Sequence, residues 1–301
     1  MLRILGTIFA ALLGLCFGSF LNVCLSRWPA GESVVHPRSH CRACGRTLAW
    51  WENVPLVSWI ALRGRCRSCG AWISVRYPLV EVLVAILWAV FTWRSPEFLE
   101  HASPAKFGLA CGIFLYLAKL ALGWVVVALA ALDAENLWLP DRLTLPGISL
   151  GFLFAIVGTY QASWRWNVVY DCCSVASFDR RDFFADLAIR GLACLITAAI
   201  ILLIRWVYWL IRRREGMGLG DAKLMAMLAA WLGLQGALLS LFLGVVLGAV
   251  YAVAMLAGRS RRSEGGWATA QLPLGTFLCI GGIISALWGQ QIIGAYLRLF
   301  P

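Results

Sequence analysis

The chain reads as an all-α polytopic membrane protein of about eight transmembrane helices with a small cytoplasmic four-cysteine insert. Three observations lead there. Hydrophobic residues are 61% of the 301 and charged residues only 14%, against about 45–50% and about 25% in a soluble domain. Mean hydropathy is +0.79. The apolar residues fall in blocks, and about 20 consecutive apolar residues suffice to cross a bilayer.

Eight such blocks run near 2–24, 78–93, 107–131, 143–160, 185–211, 222–234, 236–257 and 272–297. The first, Leu2 to Cys24, is long and lacks a small-x-small exit, so it reads as a retained helix rather than a removable signal. The sixth and seventh are separated only by the slight break at Gly233 to Gly236. The organisation expected is a first helix at 1–24, a cytoplasmic cysteine loop at 25–77 and a membrane domain at 78–301.

The formal charge of +11 would suggest nucleic acid in a soluble protein. Here the arginines cluster in short loops, so membrane orientation explains them and no nucleic-acid partner is expected. Loop 25–77 carries Arg27, Arg38, Arg42, Arg46, Arg63, Arg65, Arg67 and Arg76 against Glu32 and Glu52. Arg212 to Arg214 and Arg259, Arg261 and Arg262 mark two further basic loops. With eight spans and an outside N-terminus all three face the cytoplasm, while segments 94–106 and 161–184 are charge-balanced.

The first cytoplasmic loop contains "HCRACG" and "GRCRSCG". Cys41, Cys44, Cys66 and Cys69 form two C-x2-C pairs at a spacing typical of zinc sites. Four thiolates close a tetrahedral shell, which indicates structural rather than catalytic zinc. His36 and His40 lie nearby and are not needed as ligands. The remaining seven cysteines are scattered, and the vicinal Cys172 and Cys173 support no disulfide.

Two carboxylates fall at the same cytoplasmic face. Asp221 opens the sixth span in "GMGLGD", after glycines 216, 218 and 220. Glycines at alternating positions leave room for an extended strand alongside, so Gly218 and Gly220 are candidate substrate-backbone positions. Asp133 follows the third span in "LDAENLWLPD", eight residues before Asp141, on a segment broken by Pro140 and Pro146. Either Asp133 or Asp141 would serve as a partner for Asp221. Paired carboxylates sharing a proton can activate water and polarise a carbonyl, as in aspartic proteases. His36, His40 and His101 are the only histidines, and none offers a Ser-His-Asp set. Asn22 inside the first span reads as a helix–helix hydrogen bond, and Lys223 as a residue snorkelling to phosphates.

These motifs together resemble the bacterial type IV prepilin peptidases, the prepilin leader peptidase/N-methyltransferases. "GLGD" is similar to the family's G-x-G-D signature, and "LDAENLWLPDRLTLP" to the segment around its first catalytic aspartate. "FGSFLNVCLSRWP", the two cysteine knuckles and "ISVRYPLVE" are similar to its N-terminal half. The resemblance implies that Asp133 and Asp221 are catalytic, and it selects Asp133 over Asp141. It further implies cleavage of the basic leader of type IV prepilins or secretion pseudopilins at the cytoplasmic face of the bacterial inner membrane. Methylation of the new N-terminus from S-adenosylmethionine is implied as well. Loop 161–184 is longer than the family pattern leads one to expect. The competing reading is a proton-coupled transporter, which leaves the four cysteines without a role.

Overall fold

A computed structural model describes residues 1–95, 106–170, 180–213, 218–258 and 272–299. The long helices are α1 (Leu2–Arg27), α3 (Arg76–Arg94), α4 (Lys106–Asn136), α5 (Asp141–Tyr170), α6 (Arg180–Arg212), α7 (Leu219–Gly258) and α8 (Leu274–Leu297). A one-turn helix, α2 (Val57–Ala61), lies in the cysteine insert. Among the described residues there is no strand, only the isolated bridges His40–Thr47 and Arg65–Trp72.

Seven of these helices are long and apolar enough to cross a membrane. The expected eight spans are reconciled by α7. Its 40 residues would make a rod of about 60 Å at about 1.5 Å per residue, twice the hydrocarbon core. Gly233 breaks it, with φ 71° and ψ −179°, a conformation reached readily only without a Cβ. The expected sixth and seventh spans are therefore two helical segments that meet at a kink, the slight break expected there. Helix α5 runs on to Tyr170 and α6 begins at Arg180, so helix occupies most of the expected loop 161–184. Residues 171–179, with Cys172 and Cys173, lie outside the described residues, as do Arg214 and the basic segment 259–262.

The chain divides into two compact units. One comprises residues 1–103 and 119–128, the other 104–118 and 129–301. In the first, glycines at a four-residue spacing set α1 directly on α3. A Cβ at Gly14 would lie 2.7 Å from Ala85 Cα, and one at Gly18 2.6 Å from Glu81 Cα. Such small residues let two membrane helices approach backbone to backbone. Asn22 is buried and its Nδ2 donates to the Tyr77 carbonyl at 2.9 Å, the interhelical bond expected of it. Proline shapes both ends of the connection: Pro29 follows the end of α1, and Pro78 occupies the first turn of α3, where its missing N–H leaves no bond unmade. Glu81 is buried on α3 and accepts the Leu56 N–H at 2.7 Å, tying the insert to the membrane helices.

In the second unit α7 packs against α8, α6 and α5. The break at Gly233 frees carbonyls that the helix would otherwise bond. Arg190 of α6 replaces the missing donors, its Nη1 lying 3.2 Å from the Ala230 carbonyl and 3.5 Å from that of Trp231. Asp186, one turn earlier, holds the same guanidinium at 3.5 Å and accepts the Thr159 hydroxyl at 2.9 Å. Beyond the break the Gly236 carbonyl accepts the hydroxyls of Ser240 and Ser285, at 2.7 and 2.8 Å. An open break is thus satisfied inside the protein, as membrane depth demands.

Candidate active site and metal centre

The second unit brings three helix ends together. Asp133 lies in the last turn of α4, which stops at Asn136; the next residue, Leu137, has φ 51° and its N–H returns to the Asp133 carbonyl at 2.9 Å. Helix α8 starts after Pro273 and points its first turn at the Asp133 side chain. The Thr276 N–H donates to Asp133 Oδ2 at 2.7 Å. The Thr276 hydroxyl lies 3.1 Å from the same oxygen and 2.9 Å from the Ala130 carbonyl. Backbone donors at a helix N-terminus are a ready-made seat for a carboxylate. Asp221 stands in the first turn of α7. Asp133 is 5% exposed and Asp221 7%.

Leu139 joins the two acids. A Cβ on Gly220, next to Asp221, would lie 2.9 Å from Leu139 Cβ. One on Gly275, next to Thr276, would lie 2.9 Å from Asp133 Cγ and 3.0 Å from Leu139 Cδ1. Glycine at both positions lets the helix ends close around one leucine. Cys279, one turn along α8, is fully buried. Gly220 is thus required by packing. Gly218 is exposed, and a Cβ there would make ordinary contact with Asp221 Oδ2 at 3.9 Å. Gly216 lies outside the described residues.

Asp133 and Asp141 differ in their settings. Asp141 opens α5 with its side chain 56% exposed and pairs with Lys223 Nζ at 2.5 Å. Asp133 is buried beside Asp221. Lys223 accordingly binds Asp141 rather than reaching for phosphates. Sequence reasoning missed Thr276, Gly275 and Leu139. The signal available was Pro273, which marks a helix start two residues before a Gly-Thr pair.

In the first unit the Sγ atoms of Cys41, Cys44, Cys66 and Cys69 all lie within 4.8 Å of one another. With metal–sulfur bonds of about 2.3 Å, tetrahedral thiolates stand roughly 3.8 Å apart, so the four fit one ion. The two knuckles repeat each other. The Cys41 N–H bonds the Arg46 carbonyl at 2.9 Å and the Cys66 N–H that of Ala71 at 2.8 Å. Gly45 (φ 72°) and Gly70 (φ 67°) return to the carbonyls of Cys41 and Cys66 at 2.8 and 2.9 Å, a left-handed turn that favours glycine. Backbone N–H groups of Cys69 and Ser68 hold the Cys66 thiol down to about 6, while, against the Ala71 N–H, the neighbouring cysteines push the Cys69 thiol up to about 11. His40 bonds the Arg38 carbonyl at 3.1 Å and stands apart from the cluster. Glu52 braces the insert: it accepts the Ala49 N–H at 2.8 Å and pairs with Arg46.

Fold and site define a multi-pass helical membrane protein with two buried aspartates meeting at helix ends. Residues 12–95 match the Bacterial Peptidase A24 N-terminal domain, and residues 120–253 match the Type IV leader peptidase family. A prepilin leader peptidase/N-methyltransferase of Pseudomonas putida is 35% identical over 96% of this chain and 93% of its own length. Proteins of the same name are 32% identical in Stutzerimonas stutzeri, over 96% and 93%, and 33% in Dichelobacter nodosus, over 99% and 96%. No solved structure matches. The chain belongs to the type IV leader peptidase family.

Proposed function

We propose that this protein is a membrane aspartic endopeptidase that removes the leader of type IV prepilins or pseudopilins and N-methylates the new N-terminus. The observation that carries the reading is the meeting of buried Asp133 and Asp221 around Leu139, with Asp141 exposed and engaged elsewhere. Two acids within each other's field share one proton. In the reaction the ionised aspartate takes a proton from water, which attacks the scissile carbonyl. The protonated aspartate hydrogen-bonds that carbonyl oxygen. Collapse of the tetrahedral intermediate breaks the C–N bond, and a proton passes from an aspartate to the departing amine. Thr276 fixes one oxygen of Asp133 and leaves the other to work. The exposed glycine at 218 gives an extended substrate backbone a place beside Asp221.

Both acids lie at helix ends that meet, which suits hydrolysis at one membrane face better than a proton path spanning the bilayer. The basic loops orient that face to the cytoplasm of the inner membrane. S-adenosylmethionine supplies the methyl group for the amine that cleavage exposes. The four thiolates would hold zinc, which would stabilise the insert without taking part in hydrolysis. The test is to incubate purified protein with a synthetic prepilin N-terminal peptide, with and without S-adenosylmethionine, and to read product masses. Cleavage in both, with one added methyl group only when the donor is present, is expected. An intact peptide in both would remove the reading.

A further inference from the structure

Between the end of α1 and the cysteine insert lies a hollow of about 400 Å³, which neither hydrolysis nor the metal uses. Its floor is α1, at Ser19, Phe20 and Val23, and its walls are insert segments 34–39 and 48–55. Both walls are pinned by buried side chains. Arg27 donates to the carbonyls of Ser33 and Pro37, each at 2.7 Å. Glu52 holds the Ala49 N–H, and Glu81 holds the Leu56 N–H. The hollow is therefore built into the unit.

Its chemistry is amphipathic. Val35 and Trp50 line it and are 69% and 78% exposed, beside an exposed Phe20 from the membrane helix. Large apolar side chains left open in this way mark an interaction site. Arg38 lines the hollow too, and its guanidinium makes no bond to another described side chain or carbonyl. Arg27 adds a second positive charge, and among the described residues no Asp or Glu lines the space. The occupant must be anionic at the level where the chain leaves the bilayer and apolar below it. We propose that the hollow binds an anionic phospholipid, with Arg38 on the phosphate, Trp50 at the headgroup and the first acyl segment along Phe20 and Val23. Tryptophan and arginine are the side chains that favour this interfacial layer. The methyl donor fits less well. Its sulfonium and amino groups carry two positive charges against one carboxylate, and the hollow offers no acid to receive them.

Native mass spectrometry of the full chain, exchanged into detergent with equal phosphatidylglycerol and phosphatidylcholine, tests this. The parent protein should retain phosphatidylglycerol over phosphatidylcholine. Arg38→Gln should retain about fivefold less, the factor one arginine contributes near an anionic surface, with zinc content equal to the parent as a check on folding. Equal retention of the two lipids by the parent, or undiminished phosphatidylglycerol in Arg38→Gln, would overturn the proposal. Displacement of the lipid by S-adenosylhomocysteine would assign the hollow to the methyl donor instead. Displacement by millimolar inorganic phosphate alone would make it a soluble-anion site, and either result removes the lipid.

Discussion

A single methyl group at position 275 probes how tightly Asp133 is seated. In Gly275→Ala the new Cβ would stand 2.9 Å from Asp133 Cγ, 3.0 Å from its Oδ2 and 3.0 Å from Leu139 Cδ1. Carbon atoms in contact prefer about 3.5–4.0 Å, so the carboxyl must give way by roughly half an ångström or more. Its oxygen is anchored by the 2.7 Å bond from the Thr276 N–H, and that bond is lost or bent. Overpacking of this kind costs about 1–3 kcal/mol of stability. Misplacement by about 1 Å costs about a hundredfold in rate. Gly275→Ala is therefore expected to insert and fold, yet to cleave a leader peptide about tenfold to a hundredfold more slowly. Initial rates by product mass, with thermal unfolding in detergent alongside, give the readout. Gly294→Ala, where a Cβ meets open space, serves as the control. A parental rate in Gly275→Ala would refute the packing argument.

Three further outcomes are expected. Thr276→Val removes a hydroxyl 3.1 Å from Asp133 Oδ2 and keeps the N–H. One hydrogen bond is worth about 0.5–1.5 kcal/mol, so kcat should fall about two- to tenfold with KM unchanged, and Thr276→Ser should restore it; an unchanged kcat contradicts the role. Gly18→Ala puts a methyl 2.6 Å from the Glu81 Cα, a backbone atom that cannot rotate aside. The melting temperature should drop, and an unaltered one would show that α1 and α3 are not seated as described. Glu52 is held below the ordinary carboxylate range, first by the Ala49 N–H and then by Arg46. Its stabilisation is present above that range and disappears as pH falls through its lowered native value. Glu52→Gln should lose zinc at a higher pH than the parent during acid titration, and coincident curves would refute the brace.

The membrane class and the four-cysteine cluster were legible because each rests on a local signal: apolar length in one case, C-x2-C spacing in the other. Both buried aspartates were legible as candidates for the same reason. The choice between Asp133 and Asp141 was not legible from the residues alone, since both sit near prolines at a helix boundary; it rested on the family resemblance. Only the fold shows Asp141 on Lys223 and Asp133 under α8. Thr276 escaped notice because its partner is 143 residues away and nothing in a Gly-Thr pair announces a carboxylate. The break in α7 was visible as glycines, but its stabilisation was not. Arg190 lies in a separate apolar run, and its target carbonyls belong to no side-chain pattern.

The assignment of the two aspartates is tested most directly by Asp133→Asn and Asp221→Asn, each purified and incubated with a synthetic prepilin N-terminal peptide. Asparagine keeps the shape and removes the ionisable group. Product masses should show an intact leader with either variant, under conditions where the parent and Asp141→Asn remove it completely. Cleavage at the parental rate by Asp133→Asn or Asp221→Asn would contradict the two-aspartate site.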